Sequence, residues 1–249
     1  MKKTTSFGGL TIGITALLVG VASGHPPRDS RAEPILFHGV QENGSAKPPV
    51  VLELFTSEGC SSCPPADVLL SDLQNKPIIG GTDVIAFEEH VDYWNSGGWN
   101  DAFSSHQWTQ RQADYQAAFG RSPAGIYTPQ LVVDGNHEVI GSNAANVLAL
   151  VMAESKQPKI SVKIAPAASQ KGMQAFTVTA GSATDSALPA DAEVFLAVTE
   201  TGLHSSVTAG ENSGKALQHA AVLRRMEKIG AIRAKSNTFS RDAKVKFES

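Results

Sequence analysis

The chain has 249 residues, a formal net charge of −3, 41% hydrophobic residues and 18% charged residues. That composition excludes disordered and collagen-like chains and allows one large domain or two modest ones. Lys and Arg nowhere cluster, so nucleic acid is not expected as a partner. The two cysteines, Cys60 and Cys63, are too few for a disulfide scaffold, and the question becomes what one very local pair is for.

In chain order, Lys2 and Lys3 precede an apolar stretch from Gly8 to Val21, and Ala22-Ser23-Gly24 follows. This is the pattern of a secretory signal peptide, expected over residues 1–24. The apolar run is shorter than the about 20 residues of a spanning helix, so cleavage is expected and no stable membrane anchor after it. The protein is accordingly expected to be exported, periplasmic or secreted. Residues 25–49 are rich in Pro, Gly and polar residues and read as a linker or disordered arm.

Val50 to Thr56 is a short apolar run that suits a buried strand, and Ser57-Glu58-Gly59 turns the chain. From Cys60 to Gln74, Ala66, Leu69, Leu70 and Leu73 recur at helical spacing, with Pro64 and Pro65 in the first turn, where a missing N–H costs little. A second strand is predicted at Val84–Phe87, continuing toward His90. After a Trp-bearing loop from Asp92 to Asp101, a helix starts near Ser104 or Ser105 and stops at Gly120. Leu131–Val133 reads as a strand, Asp134-Gly135 as a turn, and Val139-Ile140 as the start of a returning strand. Ser142 is a candidate cap for a last helix carrying Val147, Leu148, Val151 and Met152.

Beyond Pro158 the texture becomes that of strands, at Lys159–Ala165, Met173–Ala180 and Glu193–Thr199, while Leu217–Ile229 suits strand or helix. The order strand, CxxC helix, strand, helix, strand, strand, helix is that of the thioredoxin fold. The expected fold class is therefore α/β: a thioredoxin-like domain over 50–157, with CxxC at a helix N-terminus, followed by a smaller mainly-β module over 158–249.

A helix start presents free N–H groups and the positive end of the dipole, and both stabilise a thiolate. Cys60 is placed to be the nucleophile and Cys63, nearly one turn later, to resolve the mixed disulfide. Two other uses stay open, a passive Cys60–Cys63 disulfide and metal binding. As a staple the pair is weak, since closing so short a loop contributes only about 2 kcal/mol. Thr128-Pro129 falls where thioredoxin-like proteins carry a cis-proline facing the CxxC, and Tyr93 and Trp94 are further candidates for substrate binding. Glu53 interrupts an apolar strand just upstream and is a candidate proton acceptor for Cys63. His90 is a candidate third ligand with Cys60 and Cys63 for copper, which suits soft thiolate and imidazole donors. No cofactor is expected, and the expected partners are protein or small-molecule thiols and disulfides. Gly210-Glu211-Asn212-Ser213-Gly214-Lys215 resembles a phosphate loop, but Ala216 replaces the required hydroxyl residue, and a hairpin loop is the better reading.

The run from Val50 to Asp67, containing Glu58-Gly59-Cys60-Ser61-Ser62-Cys63-Pro64-Pro65-Ala66-Asp67, resembles the opening motif of the domain-of-unknown-function 1223 family. His90-Val91-Asp92-Tyr93-Trp94, Gly98-Trp99, Thr109-Gln110-Arg111-Gln112, Tyr127-Thr128-Pro129-Gln130, Val133-Asp134-Gly135 and Gly210-Glu211-Asn212 extend the resemblance to about Met226. It implies an exported bacterial protein with a thioredoxin-like fold, and no established reaction. Glu88 and Glu89 depart from it, standing where apolar or small residues are expected.

Overall fold

The computed structural model describes residues 11–19, 36–39, 48–75, 81–170, 173–181, 191–233 and 238–246. The leader expected over 1–24 and the arm over 25–49 fall largely outside these residues. Within them, β1 (Thr11–Val19) and β2 (Leu36–Gly39) are backbone strands.

The strand β3 (Val50–Thr56) is buried at every position, which its near-continuous apolar sequence requires of a strand covered on both faces. Side chains alternate across it. Val50, Leu52 and Leu54 pack against Ala66, Leu70 and Leu73 of α1 (Pro64–Asn75) and against Val147 and Val151 of α3 (Ala144–Glu154). Val51 and Phe55 face the other way, toward Trp108 and Tyr115 of α2 (His106–Ala118). Beyond the α1 crossover, β4 (Val84–His90) pairs parallel with β3, and β5 (Gln130–Val133) pairs antiparallel with its other edge. Asp134 and Gly135, with φ of 48° and 67°, turn β5 into β6 (His137–Ile140). The hydroxyl of Ser105 caps α2 by accepting from Gln107 N. The cap of α3 is Asn143, accepting from Asn146 N at 3.2 Å, rather than Ser142.

The second half is built from β7 (Ser161–Gln170), β8 (Met173–Gly181), β9 (Ala192–Thr201), β12 (Val222–Ile232) and β13 (Thr238–Lys246), with β10 (Leu203–Ser206) and β11 (Ala216–His219) as a separate hairpin. The ambiguous stretch at 217–229 is strand, broken between β11 and β12 where Ala221 takes φ +56°. Leu196 and Val198 of β9 enter a core with Val178, Ile229, Ile232 and Val245, while Ala197 between them faces Val51, Phe87, Trp108 and Leu223. One strand thus serves both halves. β12 in turn lies parallel to β4, with Val222 opposite Glu88.

The expected architecture, an α/β thioredoxin-like domain followed by a smaller mainly-β module, is corrected by these pairings. The described chain is mostly strand with three α-helices, and one mixed eleven-stranded sheet, ordered β13-β8-β7-β2-β1-β9-β12-β4-β3-β5-β6, runs through both halves. Periodicity locates strands but says nothing of which edges pair. The outer edge of β4 recruits a strand from more than a hundred residues downstream.

Candidate functional site

The cysteines lie between the end of β3 and the start of α1. Cys60 N donates to Ser57 O at 3.2 Å, and Cys63 N to Cys60 O at 3.2 Å. The Cys63 carbonyl accepts from Ala66 N at 2.8 Å and Asp67 N at 3.2 Å, so Cys63 stands at the head of the first helical turn. The two sulfurs are joined in a disulfide, and both residues are 0% exposed, although Ser61 and Ser62 between them are open to solvent. The Ser62 hydroxyl is 3.4 Å from Cys60 Sγ.

What covers the pair comes from the far half of the chain. Asn212 Nδ2 donates to the carbonyls of Glu58, at 2.8 Å, and Cys60, at 2.9 Å. Glu211 Oε2 accepts from Ser61 N at 3.0 Å. Gly210, at φ +73°, lies so close to Trp99 that an added Cβ would sit 3.2 Å from the indole's Cβ. The phosphate-loop look-alike is thus a hairpin loop between β10 and β11, and its Gly-Glu-Asn segment clamps the CxxC turn.

The other predicted residues are partly gathered here. The Thr128–Pro129 bond is cis. A Cβ on Gly141 would touch both Ala66 Cβ, at 3.1 Å, and Pro129 Cβ, at 3.4 Å, which places Pro129 beside the first turn of α1. Trp94 Nε1 donates to Thr128 Oγ1 at 2.7 Å, and Trp94 Cβ would meet a Cβ on Gly59 at 3.2 Å, so this indole bridges the cysteine turn and Thr128. Tyr93 is turned toward α2, its hydroxyl donating to Gln112 Oε1 at 3.3 Å.

Glu53 is placed elsewhere. It lies on the α2 face of β3, accepting from Arg111 Nε at 2.8 Å, Arg111 Nη2 at 2.5 Å and the Tyr115 hydroxyl, whereas the cysteines lead into α1 on the opposite face. Strand alternation decides this, because odd-numbered residues of β3 face away from α1. The cysteine-bearing helix carries a buried acid of its own, Asp67. It follows Cys63 by one helical turn, is 5% exposed, and accepts from Thr56 Oγ1 at 2.7 Å. Burial, seconded by the negative charge of Glu88, pushes its carboxyl up to about 7 against the hydrogen bond from Thr56 and the positive influence of His90 and His219. A lone acid in the first turn of the CxxC helix was the sequence signal for it.

Below α1 lies a second buried group. His90 Nδ1 is 2.8 Å from Asp101 Oδ2, and His219 Nε2 is 3.0 Å from Glu58 Oε1. Burial opposes the positive charge on both imidazoles. The carboxylates of Asp101 and Glu88 outweigh it for His90, raising it to about 10, and those of Glu58 and Glu88 raise His219 to about 9. Glu58 is itself held below the usual carboxyl range: burial works against this, but hydrogen bonds from His219, Ser205 and Trp99 prevail. His90 therefore does not join Cys60 and Cys63 in a copper-type ligand set. The thiols are bonded to each other, and the donors that gather with His90 are Glu88 and His219.

Fold and site together define a mixed-sheet protein with a CxxC disulfide at the head of a helix, clamped by a Gly-Glu-Asn loop from its C-terminal half. The chain belongs to the family described as Protein of unknown function (DUF1223), which it matches over residues 51–249. It is similar to the crystal structure of a protein from Agrobacterium tumefaciens, at 27% identity and a TM-score of 0.59, over 79% of this chain and 78% of that one. It also resembles HBP35 of Porphyromonas gingivalis in fold, at 17% identity and a TM-score of 0.51, over 82% of this chain and 65% of that one. No curated protein matches. The likeness to the Agrobacterium protein extends far beyond the segment 50–157, in keeping with a sheet that spans both halves.

Proposed function

We propose that the protein carries out thiol–disulfide exchange through Cys60 and Cys63, with protein or small-molecule thiols and disulfides as partners, in an exported, periplasmic or secreted setting. The supporting observation is the placement of the disulfide at the head of α1 with a buried carboxyl, Asp67, one turn away on the same face. A partner thiolate attacks Cys60 Sγ, the S–S bond breaks, and Cys63 Sγ leaves with the electron pair and takes a proton from Asp67. A second partner thiolate then attacks the partner's own sulfur in the mixed disulfide. The partner leaves as a disulfide, and the protein is left reduced by two electrons. Run backwards, the same steps oxidise the protein and reduce the partner, with Asp67 accepting the Cys63 proton. Trp94 and Thr128, both half-buried, offer the surface beside the cysteine turn against which a partner chain would lie, with Tyr93 and the buried Pro129 behind them.

One observation favours a second reading, a binding module with a permanent disulfide: both cysteines are fully covered. The deciding measurement is the equilibrium reduction potential of the folded protein, by maleimide trapping across a thiol–disulfide buffer series, with the pH dependence of Cys60 alkylation. A potential in the oxidoreductase range with a thiol pKa well below about 8.5 supports exchange. A potential below about −300 mV with an ordinary or raised thiol pKa rejects it.

A further inference from the structure

We propose that Glu88, His90 and His219 form a buried binding site for one first-row divalent transition-metal ion, of the zinc type, distinct from the cysteines. The inference is independent of the redox reading and starts from an accounting problem. Glu88 Oε2, His90 Nε2 and His219 Nδ1 are buried and without a hydrogen-bond partner. A buried polar atom without a partner costs about 1–3 kcal/mol. Three such atoms lie within 4.8 Å of one another, on side chains that are 0%, 0% and 1% exposed.

The arrangement of protons explains why they point at one another. The carboxylate of Asp101 engages His90 Nδ1 and that of Glu58 engages His219 Nε2, so each of these nitrogens carries a ring hydrogen. The opposite nitrogens, Nε2 of His90 and Nδ1 of His219, both point at Glu88 Oε2. A divalent cation seated between them would displace the ring protons held there, so binding would release protons. A carboxylate that orients an imidazole through its far nitrogen is the usual outer shell of a metal-binding histidine, and here both histidines have one.

The two separations to the carboxylate suit a shared ion. Glu88 Oε2 lies 3.4 Å from His219 Nδ1 and 3.7 Å from His90 Nε2, long for a hydrogen bond. Ligands about 2.1 Å from a tetrahedral zinc ion stand about 3.4 Å apart. Two imidazoles and one carboxylate form a donor set suited to zinc and to divalent iron, and the ring of Phe103, edge-on to both histidines, gives the site an apolar wall. The second carboxylate oxygen of Glu88 is engaged by Ala220 N at 3.2 Å, which leaves Oε2 free to serve the ion. Held this way, the ion would tie β4 to the β10–β11 hairpin that carries the cover over the cysteines.

The test uses the untagged full chain, stripped with a chelator and titrated with Zn2+ against a chromophoric competitor. The expected result is one equivalent bound, with an upward shift of the thermal midpoint. Binding is expected to be unchanged in Cys60→Ser/Cys63→Ser, lost in His219→Ala and Glu88→Gln, and weakened about 10- to 100-fold in Asp101→Asn through the outer shell. Because a ligand variant can fail to fold, the wild-type protein is also loaded with Co2+ and examined by X-ray absorption, where two imidazoles and no sulfur are expected. Failure of the wild type to bind one equivalent, sulfur in the cobalt shell, or loss of binding with the cysteines would overturn the proposal.

Discussion

Replacing Asn212 by Ala tests whether the loop between β10 and β11 controls access to the disulfide. The fully buried amide donates to the carbonyls of Glu58 and Cys60 at 2.8 and 2.9 Å and accepts from Lys215 Nζ at 2.8 Å. A typical hydrogen bond contributes about 1 kcal/mol net, and more where its loss leaves a buried carbonyl unpaired. Removing the two bonds that hold the loop to the cysteine turn should weaken closure by about 2–3 kcal/mol. At about 1.4 kcal/mol per factor of ten, the open population rises about 30- to 140-fold. Where opening is fast compared with chemistry, the rate at which dithiothreitol reduces Cys60–Cys63 rises by the same factor. Leu196→Ala, deep in the core of the C-terminal strands, is the control, since it costs about 2–5 kcal/mol without touching the loop. An Asn212→Ala protein reduced no faster than wild type, or a control accelerated equally, would refute the cover as a local gate.

Two further outcomes follow from the buried carboxylates. The carboxyl of Asp67 is raised from 3.8 to about 7, so the folded state binds a proton that the unfolded state has released. Stability should therefore fall as pH rises from about 4 to 7, with the full cost present above about 7. Asp67→Asn, whose carbonyl still accepts from Thr56, should flatten that slope in denaturant titrations and be more stable than wild type at pH 8. An unchanged slope would show that the carboxyl ionises normally beside Glu88, His90 and His219. Glu53→Gln should destabilise the protein in urea unfolding by less than the about 3–5 kcal/mol of a broken buried pair, because Glu89, 3.5 Å from Arg111 Nε, remains as a counter-ion, yet it should leave the reduction potential of Cys60–Cys63 unchanged. A shifted potential would return Glu53 to the chemistry.

Much of the local structure was legible because local forces set it. The apolar run at Val50–Thr56, the spacing of Ala66, Leu70 and Leu73, the hydroxyl of Ser105 and the turn at Asp134-Gly135 each act within a few residues of themselves. The cysteines, Trp94 and Thr128-Pro129 likewise come together at one end of the sheet. What could not be read depends on pairing at a distance. No period announces that β12 lies against β4, and without that pairing His219 and Asn212 have no reason to matter. Glu53 was misread because an acid in an apolar strand signals burial but not its partner, and Arg111 arrives from α2. Consecutive Glu88 and Glu89 in a core strand were the visible anomaly. One belongs to the histidine cluster, and the other, its carboxyl raised by burial, lies 3.5 Å from Arg111 Nε.

The seam where Val222 meets Glu88 ties the two halves of this chain together in any experiment that tries to separate them. A fragment ending at residue 157 would keep both cysteines and the whole of α1. It would nonetheless bare Val51 and Phe87, which Ala197 and Leu223 otherwise cover, and strip the cysteine turn of its Asn212 amide. Grafting residues 50–157 onto another scaffold would therefore transplant a motif without its environment. Any fragment meant to preserve the cysteine turn has to carry the C-terminal strands along.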